Sequence, residues 1–296
     1  MIKVSILMNG YNAQKYLKEA LDSIYIQTFK NWEIIFVDNC SQDDTKKIIN
    51  SYDSKIKYYK TDKNIPLGAA RNFGLQYCKG KYIAFLDTDD IWLEDKLEQQ
   101  INMMDSNQEF QLCYGGVIYI DKNNHKIGKL KPQAVSGYVF AQQLKQYEIN
   151  MQSVIIRNDV NIQFNEELNH SPDFDLFMEI VSKSKTCVIS DYLVKYRKLD
   201  NSLTSKNIAV WWSEMKYTLD RVFVKQPLLK DKYPKEYILA YAKVSYNKAR
   251  YLISMGKKQE AVRELSKYKF SNILYFILYV ISLCPKNVWN FIHKYK

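Results

Sequence analysis

Three carboxylates close an apolar run in FLDTDDIW, residues 85 to 92: Asp87, Asp89 and Asp90, with Trp92 two positions further on. A fourth, Asp38, ends the run WEIIFVD. If both runs are strands of a parallel α/β sheet, these acids stand on the rim where such sheets bind ligands. Hard oxygen donors suit Mg2+ or Mn2+, cations that keep water and leave positions open for a substrate phosphate. The same acids could instead be a solvated turn, and the short stretch alone does not decide between the two. Trp92 reads as exposed.

Several other chemistries fail on spacing. An EF-hand loop starting at Asp87 would place Ile91 at a ligand position and Trp92 where the sharp turn needs Gly. The turn after the first strand is NGYNAQ, without the GxGxxG of a dinucleotide site, and no P-loop occurs. His125, His170 and His293 show no HExxH or paired spacing, which argues against zinc.

The elements that would position these acids alternate as βαβ units predict. KVSILM is a strand, followed by a helix capped by Asn12 with apolar residues at Tyr16, Leu17, Ala20, Leu21 and Ile24. WEIIFVD is the second strand, and Ser41 is placed to cap the next helix, QDDTKKIINSY. IKYYK and YIAFLD are further strands on either side of the helix LGAARNFGLQYC. A charged helix over 94–105 and the strand LCYGGVIYI follow. Residues 121–170 carry hairpin-like and short helical signals, SVIIR reads as a strand, and SPDFDLFMEIVSK as a helix.

From about residue 208 the pattern is helical. YILAYAKVSYNKARYLISMGKKQEAVRELSKY reads as an αα-hairpin turning at Gly256 and Lys257, one unit and not a repeat array. The apolar block NILYFILYVISLC, 272–284, is too short to cross a bilayer. The chain of 296 residues has a formal charge of +11, and all of the excess lies in this part. Residues 206–296 hold 18 Lys/Arg against 6 Asp/Glu, whereas residues 1–205 hold 25 against 26. Two divisions follow: an α/β portion over 1–205 and a basic helical extension over 206–296. The five cysteines are scattered with no CxxC pair, and the N-terminus lacks a signal-peptide core, so a cytoplasmic location is expected.

Strand one followed by GYN, then VDNCSQDDT, GAARNFG and FLDTDD, in that order, resembles the family 2 inverting glycosyltransferases of the GT-A fold, of the bacterial cell-surface polysaccharide type. The likeness spans roughly residues 3–205. It implies transfer of a sugar from a nucleotide-sugar donor, most often a UDP-sugar, to a hydroxyl of a glycan or lipid-linked glycan acceptor, with Mn2+ or Mg2+ held at a DxD pair.

Carried over position by position, the resemblance makes Tyr11 a stacking surface for the base and Asp38 with Asn39 the partners of the uracil edge. It puts Arg71 near the diphosphate and Asp87 at the ribose or beside the metal. Asp89 becomes the direct metal ligand, and Asp173 the catalytic base. Asp173 is expected to be kept ionised by the dipole of the helix that Ser171 caps and Pro172 opens. The chain departs from the family pattern at Asn39, often Asp; at Pro172, usually Glu; and at Leu199 in YRKLDNSLT, commonly His. These departures motivate an alternative, a catalytically silent nucleotide-binding or membrane-bound scaffold of the same fold.

The basic tail suits peripheral contact with the anionic cytoplasmic face of an inner membrane, and equally a solvated helical bundle. Nucleic acid is not expected as a partner, because Tyr241, Tyr246 and Tyr251 fall at helical packing intervals and not on a stacking platform.

Overall fold

The computed structural model describes residues 2–159, 161–199, 208–285 and 288–289. It divides into two compact units, one comprising Met1–Phe140 and Glu148–Asp200, the other Ala141–Tyr147 and Asn201–Lys296.

The first unit is built on one nine-stranded mixed sheet. Four parallel strands, β1 (Val4–Gly10), β2 (Trp32–Asp38), β3 (Ile56–Lys60) and β4 (Tyr82–Phe85), lie in the order β3-β2-β1-β4. Next to β4 comes β8 (Ile155–Arg157), antiparallel to it, then β6 (Phe110–Ile120) and β9 (Lys185–Arg197), which run parallel to each other. The two-residue strand β5 (Ile91–Trp92) pairs antiparallel with β9, and β7 (Lys126–Leu130) forms a hairpin with β6.

Alternation along β1 and β2 sends side chains to both faces, and both faces are covered. Val4, Ile6, Met8, Ile34 and Phe36 join Leu17, Ala20, Leu21 and Ile24 of α1 (Leu17–Tyr25) and Leu97, Ile101 and Met104 of α4 (Lys96–Ser106) in one buried cluster. Over the opposite face lies α3 (Leu67–Leu75), where Gly74 packs so tightly on Leu7 and Val37 that a Cβ would overlap both. A short α2 (Thr45–Ile49), a 3-10 turn at Met151–Ser153 and α6 (Pro172–Lys183) complete the helices of this unit up to β9, while α5 (Phe140–Lys145) belongs from Ala141 onward to the second unit.

Two expected caps are corrected. Helix α1 starts only at Leu17, and Asn12 instead adopts a left-handed φ of 51° and accepts a hydrogen bond from the Gln42 amide. Ser41 does not cap α2; its hydroxyl accepts from the Asn12 amide at 2.9 Å. Both residues stitch the turn after β1 to the turn after β2, helped by Thr45 and Asp43, which accept from the Ala13 and Gln14 amides. The polar side chains thus serve neighbouring loop amides in place of helix ends. The strands β5 and β9 were not foreseen. β5 is two residues long, and β9 interrupts its alternation with exposed Ser190 and Asp191.

The second unit is helical: α7 (Ile208–Lys225), α8 (Leu228–Lys232), α9 (Pro234–Ser254), α10 (Lys258–Ser266) and α11 (Ile273–Leu283). The α9–α10 hairpin turns where expected. Gly256 at φ 77° lets the Lys257 amide reach the Leu252 carbonyl and its own amide reach Ile253, the paired bonds of a Schellman ending. Ala249, Leu252, Ile253, Ala261 and Leu265 form the core of the pair. Among the described residues, no helix is long and apolar enough to cross a membrane.

Candidate active site

The C-terminal ends of β1, β2 and β4 form one rim. Gly10 lies beside Asp38 in the β1–β2 register, and β4 ends at Phe85, two residues before Asp87. Tyr11 follows Gly10 with 53% of its surface exposed, an aromatic ring free to take a flat partner. Asp38 is buried. One carboxylate oxygen accepts from the Ser41 amide at 2.7 Å, and the other from the Tyr58 hydroxyl at 2.5 Å. That hydroxyl holds its proton far more tightly than usual, through burial and the adjoining carboxylate.

Asn39 does something different from the expected reading of a base edge. Its Oδ1 accepts from the Ile65 amide at 3.0 Å and the Thr61 hydroxyl at 3.1 Å, while Nδ2 donates to the Ile65 carbonyl at 2.8 Å. The carboxamide is spent on pinning the loop after β3. An Asp could not donate the third bond, which accounts for an amide here.

Arg71 projects from α3 and is only 3% exposed. Its Nη2 approaches Asp87 Oδ1 at 3.3 Å, and the guanidinium lies 5.3 Å from the centroid of the Phe164 ring. Nε and Nη1 are buried and have no hydrogen-bond partner among the described residues. A buried cation with two idle donors is costly, and such a group commonly marks a site completed by an anion.

Asp87 is the most constrained acid of the cluster. Besides Arg71 it meets Gln152, whose Oε1 accepts from the Asp87 amide at 2.7 Å and whose Nε2 donates to Asp87 Oδ2 at 2.6 Å. By contrast, the Asp89 carboxylate takes no hydrogen bond from another side chain among the described residues. Burial, then the charge of Asp87, pushes its pKa up to about 6. Asp90 is fully buried, and burial followed by its two acidic neighbours pushes it well above the ordinary range. Its Oδ1 accepts from the Arg197 amide at 2.7 Å.

The exposure expected of Trp92 is corrected: it is 1% exposed. Its indole donates to the Gln152 carbonyl at 2.9 Å, and its amide donates to the Ser23 hydroxyl at 3.1 Å. Arg197 ends β9 and is likewise sealed. It donates to the Asp89 carbonyl at 2.8 Å, Asn124 at 2.5 Å and Glu19 at 2.9 Å, and stacks 4.3 Å from the Tyr16 ring centroid. The β5–β9 pairing, Ile91 opposite Lys195, is what brings Arg197 to the acidic turn. Leu199, two residues beyond, is partly buried.

Asp173 sits in the first turn of α6, which Pro172 opens as expected; Ser171 stands at the cap position, but its side chain makes no cap hydrogen bond. Arg71 and Asp87 are both near enough to act on its charge. The helix end does not by itself pull its pKa below the ordinary range. Part of its surface reaches solvent, but the surrounding protein raises its pKa, and neither Arg71 nor the backbone amides offset this fully. A carboxylate that binds its proton more tightly is also a stronger base.

The structure therefore brings Arg71, Asp87, Asp89 and Asp173 into one electrostatic neighbourhood, with Tyr11 and Asp38 further along the rim. The sequence reading does not single out Gln152 or Arg197, and it takes Trp92 as exposed with no role. Arg197 had a signal in the YR of YRKLDNSLT; Gln152 had none. Among the described residues, no group of three or more His, Cys, Asp or Glu could hold a metal. Two adjacent carboxylates, one of them without a side-chain donor, fit a hard cation that draws its other oxygens from water and diphosphate, and do not fit a closed protein cage.

Residues 5–162 match the model of the family described as Glycosyl transferase family 2. WfgD of Escherichia coli, a UDP-Glc:alpha-D-GlcNAc-diphosphoundecaprenol beta-1,3-glucosyltransferase, is 32% identical over 261 residues, covering 86% of this chain and 98% of its own. The uncharacterized glycosyltransferase MJ1057 of Methanocaldococcus jannaschii is 34% identical over 207 residues, 66% of this chain and 70% of its own. Among solved structures, TarS 1-349 of S. aureus in complex with UDP-GlcNAc superposes with a TM-score of 0.60 at 18% identity, over 83% of this chain and 81% of that one. At that identity the likeness speaks for the fold.

Proposed function

Since the chain belongs to glycosyl transferase family 2 and has the GT-A fold, we propose that it is an inverting, metal-dependent glycosyltransferase of cell-surface polysaccharide synthesis. The donor is a nucleotide-sugar, with UDP the favoured nucleotide, and the acceptor a hydroxyl of a glycan or lipid-linked glycan. One observation carries the reading: Arg71, buried beside Asp87 and Asp173 with two unpartnered nitrogens, is a ready-made site for diphosphate oxygens. WfgD acts on a diphosphoundecaprenol-linked sugar and TarS was solved with UDP-GlcNAc; both support the substrate classes.

In this reading Tyr11 stacks on the base, Asp38 lines its edge and Arg71 neutralises the departing diphosphate. Asp173 takes the proton from the acceptor hydroxyl as that oxygen bonds to the anomeric carbon, while the bond from that carbon to the diphosphate breaks on the opposite face. Asp87 and Asp89 would hold Mn2+ or Mg2+, which supplies further positive charge to the leaving group.

The test is a panel of nucleotide-sugars with Mn2+, followed as slow donor hydrolysis, and repeated with Asp173→Asn. Turnover of one donor that falls by about 10²- to 10⁴-fold in the variant is the expected result. If UDP raises the melting temperature and no donor is consumed, the chain is a silent binder instead.

Contact with an anionic membrane belongs to the same proposal. Ile273, Ile277 and Val280 of α11 are 72%, 46% and 43% exposed along one side of the helix, within the basic segment. Co-sedimentation with phosphatidylglycerol vesicles and not with phosphatidylcholine vesicles is expected. Equal recovery with both would remove the electrostatic part of the argument.

A further inference from the structure

We propose that Gln152 is a positioning residue for Asp87, aiming that carboxylate at the donor through a two-point carboxamide clamp that Trp92 holds in place. The inference rests on the donor-site reading above and goes beyond it, since Gln152 touches neither donor nor acceptor in that reading.

Gln152 is 2% exposed and grips Asp87 from both ends of its amide group. The backbone amide of Asp87 donates to Oε1 at 2.7 Å, which fixes where the residue leaves β4; Nε2 donates to Oδ2 at 2.6 Å, which fixes the rotation of the carboxylate. With Oδ2 so held, Oδ1 is the oxygen left toward Arg71, at 3.3 Å. A freely turning carboxylate would spread over several rotamers and lose affinity for whatever it must contact.

The clamp is itself braced. Asn150 Oδ1 accepts from the Gln152 amide at 3.1 Å, and the Trp92 indole donates to the Gln152 carbonyl at 2.9 Å. Trp92 therefore belongs to the site indirectly: five residues after Asp87 in sequence, it returns through Gln152 to fix Asp87. Only a carboxamide of this length presents an acceptor to an amide and a donor to a carboxylate at once; Glu lacks the donor, and Leu lacks both.

The test is a double-mutant cycle on the full chain with Mn2+, reading the Kd of UDP by calorimetry. Gln152→Leu is expected to weaken binding by about 10- to 100-fold, as loss of a residue that orients a ligating group typically does. In an Asp87→Ala background the same substitution should change Kd by less than about twofold, because its target is gone. Trp92→Phe should move Kd in the same direction by a smaller factor. Should Gln152→Leu not fold, Gln152→Glu takes its place, with a loss larger than about 10-fold that again vanishes without Asp87. An equal loss in both backgrounds, or no loss with Asp87 present, overturns the inference and leaves the donor reading intact. A wild-type chain that binds no UDP overturns both.

Discussion

The two sides of the TDD turn are built on opposite terms. Behind it, Arg197 spends its guanidinium on Asp89, Asp121, Asn124 and Glu19, its backbone amide satisfies Asp90, and the Trp92 indole has its acceptor. In front, among the described residues, Arg71 has one long contact and two idle nitrogens and Asp89 has no side-chain donor, and burial raises Asp89 and Asp173 together. Both sides hide charge from water. The rear supplies hydrogen-bond partners from within the protein, although burial still raises Asp90, and the front is left for a ligand to complete. Lys96, beneath Trp92, marks how far the rear can go: burial pushes its pKa down to about 7, with Gln100 Oε1 at 2.7 Å as hydrogen-bond partner.

The contrast can be broken by exchanging like for like. The largest effect in the whole set is the loss of turnover in Asp173→Asn, with the fold unharmed. Next comes the pair of buried arginines. Arg197→Leu strands the acceptors behind the turn and should lower the free energy of unfolding by about 3–5 kcal/mol, read by urea titration. Arg71→Leu removes a cation that the protein barely uses, so stability should stay within about 1 kcal/mol while UDP affinity falls by about 10-fold or more. Equal destabilisation by the two would erase the distinction between front and rear.

A smaller effect sharpens it. Asp89 has a folded pKa of about 6 against an ordinary value of 3.8. The folded state holds this proton more tightly, so stability is present at low pH and lost as pH rises through about 6. Asp89→Asn should therefore be more stable than wild type at pH 7.5 by about 1–3 kcal/mol, a range that allows for partial solvent screening. The gap should close as pH falls toward 4. A melting-temperature difference that does not depend on pH would show that Asp89 is not strained by burial.

Much of this was legible in the sequence because strand ends are marked by composition. WEIIFVD and YIAFLD each finish on an acid, and that transition located Asp38 and Asp87. Pro172 after Ser171 located the start of α6 and with it Asp173. What stayed hidden depends on pairing between distant segments. Asn12 and Ser41 looked like caps because local chemistry cannot show that each bonds to the other's loop. Trp92 looked exposed because it follows three acids, and nothing nearby in the chain announces Ser23 or the Gln152 carbonyl. Gln152 was invisible because a lone Gln has no pattern; its partner lies 65 residues away.

One inversion in the sheet has a practical consequence for the freedom of the chain to change length. Because β8 runs against β4, with Ala84 opposite Ile155, the residues that precede β8 face those that follow β4. A deletion or insertion between Gln152 and Ile155 would then shift the 3-10 turn that carries the carboxamide relative to β4 and take it out of reach of Asp87. The exposed tip of the β6–β7 hairpin, Lys122 and Asn123, is held in another way, through the flanking Asp121 carbonyl and Asn124 side chain that Arg197 binds. The protein thus has two spacers within a few dozen residues of each other, one set by Gln152 on the front of the turn and one by Arg197 on its rear, and an insertion scan would read out which tolerates a change of length.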